Sequence, residues 1–293
     1  MSDDYFLDPR AVRRAFDRAS ATFDANAAVH AELRNRLLER LDVVRLQPQV
    51  VLDLGAGTGH AARALQDRYR SAYVAAVDLS PGMLREARRQ QRFLKRFGRV
   101  ACDAHALGLK SASVDLVFSN LMLQWCADHD RVFAELARVV RAGGLLTFTA
   151  LGPDTLQELR AAWGASGRVH VHRFIDMHDL GDALMTVGFA EPVMDMERLT
   201  ITYRDLDTLL GELKGSGSTN VALGRSRGLR SRHRHQLATA SYEATRCDSL
   251  LPVTLEVVYG HAWASGITRR GRATSRDFAI PVGSIGHRIV KSE

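Results

Sequence analysis

The chain has 293 residues, 46% of them apolar and 25% charged, an ordinary globular balance that excludes a collagen-like repeat, a disordered chain and a disulfide-stapled miniprotein. No apolar run approaches the roughly 20 residues that span a bilayer, and the opening MSDDYFLDPR lacks the basic-then-apolar order of a secretory signal. The net charge of +7 is unevenly placed: residues 1–223 hold 28 basic and 28 acidic side chains, residues 224–293 hold 12 and 5, so the basic quarter is either a docking face for an acidic partner or a solvated tail.

In chain order, the first 45 residues read as helical, with Phe16, Ala19 and Phe23 and then Leu33, Leu37, Leu38 and Leu41 at three- and four-residue spacings. VVLDLG (50–55) is a short apolar run ended by glycines and followed by the helical HAARALQDRYR. The rhythm repeats: YVAAVDLS (73–80), then a helix from Met83 to about Phe97; RVACDA (99–104); VDLVFSN (114–120), then a helix over Arg131–Val140; and GGLLTFTAL (143–151). Buried strands alternating with amphipathic helices predict a mostly parallel, doubly wound α/β sheet. Ser80 and Pro81 suit a helix start, and Gly143-Gly144 suits a turn from helix into strand. Beyond residue 151, Asp176 to Phe189 predicts a helix, 192–203 and 251–260 two further strands, and 205–246 a helical insertion broken by GSGS (215–218).

Glycines 55, 57 and 59 fall at a strand-to-helix turn, where missing Cβ atoms let backbone approach a ligand. A dinucleotide fingerprint wants glycine at the sixth position, which here is His60, and no GK[ST] of a phosphate loop follows. Asp53 lies just before the glycines, where a carboxylate suits an ammonium group and repels a pyrophosphate. Asp78 ends the second strand and can accept two ribose hydroxyls. Asp103 ends the third and can accept from an adenine amino group while Ala104 offers its N–H. Asp78 or Asp103 alone reads more often as a helix cap or a solvated strand end. Together, at successive strand ends, they point to a cationic nucleoside without phosphate, and S-adenosylmethionine fits. Ala56 in the turn, Leu79 and Met83 after Asp78, and Asn120 after the fourth strand complete the expected cofactor set.

These residues resemble class I S-adenosylmethionine-dependent methyltransferases, with their seven-stranded, Rossmann-like sheet. The resemblance sharpens at FSNLMLQWC (118–126), which is similar to the SN-L-x-x-QWC segment of the biotin-pathway malonyl-[acyl-carrier protein] O-methyltransferases. AFDRASATFD (15–24), FTALGPDTLQELRAAW (148–163), LKGSGSTN (213–220) and LPVTLEVVYG (251–260) match the same family in order. Phe23 stands where the family often has Tyr, the turn is GAGTG rather than GCGTG, and the Arg-rich tail is longer than in short members.

The resemblance implies methyl transfer to the free carboxylate of a malonyl thioester. That group, ionised above a pKa of about 4, needs no general base, so catalysis becomes positioning and desolvation. Asn120, Gln124 and Trp125 are then the expected transfer-site residues. Phe16, Arg18 and Phe23 are expected to close over the site, with Arg18 able to pair with a carboxylate. Arg225, Arg227, Arg230, Arg232 and Arg234 lie within an acid-free stretch and would meet an acidic carrier protein, or the phosphate of its pantetheine arm. No aromatics interleave with them, so nucleic acid is not an expected partner, nor is a membrane; malonyl-coenzyme A is the alternative thioester. The implied organisation is an N-terminal helical segment (1–45), a cofactor-binding core (46–203), a helical cap (204–249), a last core strand (250–264) and a basic, partly disordered tail (265–293).

Cys102, Cys126 and Cys247 are odd in number, far apart and never in a CxxC pair, which suggests reduced thiols in a cytoplasmic protein. Cys126 reads as a packed residue rather than a nucleophile. His170, His172 and His178 lack a strong ligand spacing, and no metal is expected. Two other functions stay open on these residues: methyl transfer to another small acid or a quinone, and a cofactor-binding assembly factor that modifies a partner protein.

Overall fold

A computed structural model describes residues 7–93, 95–164, 171, 173–222 and 232–265, with the backbone alone for 232–235. The apolar runs become β1 (Val50–Leu54), β2 (Tyr73–Asp78), β3 (Gly98–Ala101), β4 (Val114–Asn120), β5 (Val140–Leu151), β6 (Phe189–Tyr203) and β7 (Leu251–Ala264). They form one seven-stranded sheet in the order β3-β2-β1-β4-β5-β7-β6. Strands β1 to β5 pair in parallel, and β7 runs antiparallel to both β5 and β6. Strand order reverses between β1 and β4, which opens a crevice beyond their C-terminal ends, the place where such sheets bind ligands.

Helices α1 (Pro9–Ala19), α2 (Ala28–Glu39), α3 (His60–Arg68), α4 (Pro81–Arg89), α5 (His129–Val139), α6 (Gln157–Gly164), α7 (Met177–Val187), α8 (Leu206–Gly215) and α9 (Arg232–Glu243) connect or cover the strands. Neighbouring residues of β1 face opposite layers: Val51 packs with Leu33, Leu37 and Leu65, whereas Leu52 packs with Phe133 and Leu136. Both layers are buried, so β1 and β4 carry apolar residues on both faces. Among the described residues no helix is long and apolar enough to cross a membrane.

The helix starts follow local chemistry. Asp8 caps α1 through Arg10 N, Ser80 caps α4 through Met83 N at 3.1 Å, and Asp176 caps α7 through His178 N. Each such cap is worth about 1 kcal/mol. Gly188, left-handed at φ 100°, ends α7.

Several boundaries differ from the sequence expectation: β3 ends at Ala101, β6 starts at Phe189 and β7 runs to Ala264, and two further differences move a turn. Helix α4 stops at Arg89 instead of Phe97, because β3 already begins at Gly98 and the chain needs the intervening residues to reverse. Gln91 Nε2 donates to Phe97 O within that reversal, and Phe97 is buried. Strand β5 begins at Val140, directly after α5, so Gly143-Gly144 lies inside the strand rather than at its entry. There Gly143 takes φ 74°, next to the register shift against β4. The Arg-rich stretch at Arg225, Arg227 and Arg230 and the tail beyond Ser265 lie outside the described residues, as do the side chains of Arg232 and Arg234.

Candidate functional site

The turn between β1 and α3 is pinned to the neighbouring strand: Gly55 N and Ala56 N both donate to Val77 O, at 2.8 and 3.0 Å. Gly55 has φ 75°, and a Cβ there would lie 2.5 Å from Met122 Cβ. A side chain is therefore excluded both by conformation and by the close approach of the segment after β4. Gly57 N donates to Asp78 Oδ2 at 2.8 Å and Ser80 N to Asp78 Oδ1 at 2.7 Å. The carboxylate is thus aimed by two backbone donors and keeps lone pairs for a ligand.

Asp53 ends up 1% exposed, and its Oδ2 has no hydrogen-bond partner. Burial raises its pKa to about 7; the charge of Asp78 pushes the same way, while the Ala62 N–H and Arg34 oppose it. Asp78 rises to about 6, again chiefly through burial. A buried carboxylate oxygen without a donor is costly, and an ammonium group beside Gly55 would satisfy it. On that ground the residues present fit S-adenosylmethionine.

Ten of the eleven expected cofactor residues line one cavity: Asp53, Gly55, Ala56, Gly57, Asp78, Leu79, Met83, Asp103, Ala104 and Asn120. Gly59 does not. It is left-handed at φ 81°, and a Cβ there would lie 2.8 Å from Phe97 and 3.0 Å from Ala87, so it serves the packing of α3 against α4. Asp103 accepts from both His105 N and His105 Nδ1, at 2.9 and 2.5 Å, and lies below the usual carboxylate range because these bonds outweigh its burial.

The N-terminal segment closes one side. Phe16 and Phe23 line the cavity, and Phe16 meets Trp125 edge-on, ring centroids 5.1 Å apart. Two acids that sequence reasoning passed over hold this segment down. Asp17 Oδ1 accepts from Ser80 Oγ at 2.7 Å and Gly82 N at 2.8 Å, tying α1 to the start of α4. Asp24 accepts from Thr58 Oγ1 at 2.6 Å and Gln90 Nε2 at 2.5 Å, tying the next turn to the glycine loop. No sequence spacing links residues so far apart; the one available signal was that Asp17 and Asp24 each directly follow a phenylalanine, Phe16 and Phe23. Arg18 does not join the site. It is exposed, because two residues along a helix turn it about 200° from Phe16.

The segment after β4 forms the other wall. Leu121, at φ 52°, bends the chain sharply, and its N–H donates to Thr149. Asn120 donates to His30 O at 3.0 Å and accepts from Thr149 Oγ1 at 2.8 Å. Trp125 lines both the cofactor cavity and a second cavity beside it, whereas Gln124 lines only the second. His30 and Arg34 of α2, also missed from the sequence, line the cofactor cavity. Cys126 is buried, with its thiol pushed up to about 12, which leaves no thiolate for nucleophilic work. His178 pairs with Asp176. Among the described residues no three potential metal ligands cluster; His170 and His172 lie outside them.

Comparison with known proteins places this geometry. A family model described as "Methyltransferase domain" matches residues 52–148. A malonyl-[acyl-carrier protein] O-methyltransferase of Methylovorus sp. is 49% identical over 269 residues, covering 89% of this chain and 91% of that protein. One from Laribacter hongkongensis is 47% identical over 272 residues, covering 90% and 92%. The YcgJ protein of Bacillus subtilis shares the fold at 15% identity, with a TM-score of 0.58 over 78% of this chain and 98% of its own. With the glycine cradle, the three acids and nearly full-length identity of this order, the chain belongs to the malonyl-[acyl-carrier protein] O-methyltransferase family of S-adenosylmethionine-dependent enzymes.

Proposed function

We propose that this chain moves a methyl group from S-adenosylmethionine to the free carboxylate of a malonyl thioester on acyl carrier protein, giving the methyl ester that primes pimeloyl synthesis for biotin. The observation that carries the cofactor half is the buried, unpartnered Asp53 Oδ2 beside Gly55, where no Cβ fits; the acceptor half follows from the relatives' shared identity. When bound, the cofactor supplies a methyl group on a positively charged sulfur. Asp53 would hold its ammonium, Asp78 its ribose, and Asp103 with the Ala104 N–H its adenine.

The acceptor carboxylate is already ionised at neutral pH, so the protein has no proton to remove. Its task is to bring one carboxylate oxygen into line with little water present. Asn120, fixed from both sides by His30 O and Thr149 Oγ1, orients the end of β4. Trp125 and Phe16, packed edge-on, exclude water from the transfer point. Gln124 orients the acyl group. The helices between β6 and β7 act as a cap, and α8 roofs the acceptor side through Leu209 and Leu213. The basic cluster at 225–234 would steer the acidic carrier protein. The three free cysteines fit a cytoplasmic enzyme.

The test is transfer of label from S-adenosylmethionine to malonyl-carrier protein, malonyl-coenzyme A and succinyl-carrier protein in parallel, with Asp78→Ala as control. Rapid labelling of the malonyl carrier protein, lost in the control, is expected. A protein that binds the cofactor yet labels no thioester would contradict the reading.

A further inference from the structure

The second cavity measures 320 Å³, against 130 Å³ for the cofactor cavity on the same measure. The two share His30, Leu121 and Trp125, so they meet at the wall where methyl transfer is placed. The ring of His30 lies edge-on to Phe23, and none of the described residues hydrogen-bonds to its ring nitrogens. Burial drives its pKa down to about 4, which makes it a neutral imidazole with one N–H donor at working pH. Further along, Gln124 Nε2 is tied to Leu121 O at 2.8 Å, whereas its Oε1 is buried without a partner. Most of the remaining wall is apolar, with Ile201, Leu209 and Leu213 among its residues. Its lone cation among the lining residues, Lys214, is exposed.

A malonyl group by itself would leave most of this volume empty, and it has no N–H to offer Gln124. The pantetheine arm of a thioester has both the length and an amide N–H two methylenes from the sulfur. We propose that the second cavity is the acceptor chamber: His30 donates to the malonyl carboxylate at the opening toward the cofactor, and the pantetheine arm runs beneath α8 with its first amide donating to Gln124 Oε1. This rests on the malonyl-thioester reading above. A neutral donor suits a group that loses its charge on becoming an ester, because a cation would hold the ionised ground state more tightly than the less charged transition state.

The experiment uses the full chain and its His30→Phe, His30→Gln and Gln124→Leu variants. Two quantities are read: the KM for malonyl-pantetheine, and calorimetric binding of malonyl-pantetheine to protein loaded with S-adenosylhomocysteine. Affinity for S-adenosylhomocysteine alone is the control. His30→Phe should weaken the acceptor about 10- to 100-fold in both readouts, the scale of a hydrogen bond to a charged group, with the control within about fivefold. His30→Gln, which keeps a donor, should recover most of the loss. Gln124→Leu should weaken malonyl-pantetheine about fivefold and leave an S-ethyl malonyl thioester, which has no amide, unchanged.

The chamber is overturned if His30→Phe spares acceptor binding, if it weakens S-adenosylhomocysteine in step, or if Gln124→Leu treats both thioesters alike. His30-dependent binding of malonyl-pantetheine without methyl transfer would keep the chamber and remove the malonyl reading. Methyl transfer indifferent to His30 would do the reverse. Neither binding nor transfer would remove both.

Discussion

The two sides of the site are built by different means. The cofactor side is a product of the sheet: Asp53, Asp78 and Asp103 stand at or just past the ends of consecutive strands, and Gly57 and Ser80 aim Asp78 through backbone donors. The side we propose for the acceptor is assembled from distant pieces. His30 comes from α2, Gln124 and Trp125 from the turn after β4, and the roof from α8. Asp17 and Asp24 hold the N-terminal piece in place. A side made by strand ends and turns is carried by short-range rules, whereas a side made by packing depends on contacts that no local rule writes.

That contrast can be stressed at several points. The largest effect belongs to Gly55→Val, which places a β-branched residue at φ 75° with its Cβ 2.5 Å from Met122. It should cost about 2–5 kcal/mol of stability and abolish cofactor binding, as read by thermal melting and calorimetry. Asp17→Ala removes the acceptor of both Ser80 Oγ and Gly82 N. It should cost about 1–2 kcal/mol and raise the KM for both substrates, since it loosens α1 without touching the strand ends.

A smaller effect is set by pH. Burial places Asp53 at about 7 and Asp78 at about 6, both above the ordinary 3.8. The folded protein therefore binds protons more readily than the unfolded chain, so the stability contributed by these two acids falls as pH rises from about 4 to 7. Affinity for the ammonium-bearing cofactor should move the opposite way, rising from about pH 6 to about 7.5, above which the ligand's own α-amino group loses its proton, and Asp53→Asn should flatten that rise in calorimetric titrations. Smallest of all is Arg18→Ala. Exposed on α1 and outside both cavities, it should change stability by no more than about 0.5 kcal/mol and leave KM within about twofold, which would sharpen the distinction between the inward and outward faces of that helix.

The same contrast explains what could be read from the residues alone. Alternating apolar runs and glycine punctuation specified the doubly wound sheet, and the position of Asp53, Asp78 and Asp103 relative to those runs pointed to a phosphate-free nucleoside, three acids that the fold brings to one cavity. Gly59 misled because a glycine kept free for packing against Phe97 and Ala87 looks the same in sequence as one kept free for a ligand. Arg18 misled because a helix's inward face depends on its partner, and here the inward residues are Ala11, Val12, Ala15 and Ala19. His30 gave no signal: nothing in its neighbourhood marks it until Phe23 and Asn120 come to it through the fold.

The central claim is that Asp53 Oδ2, buried without a partner, is the ammonium site of the cofactor cavity. It is tested most directly by titrating S-adenosylmethionine and 5′-methylthioadenosine, which lacks the amino-acid end, into wild type and Asp53→Asn at about pH 7.5. The account predicts that wild type prefers S-adenosylmethionine by about 10- to 100-fold, the scale of a charge-assisted contact in a buried setting, and that Asp53→Asn brings the two affinities together by weakening S-adenosylmethionine alone. Equal weakening of both ligands, or a preference that survives the substitution, would contradict it.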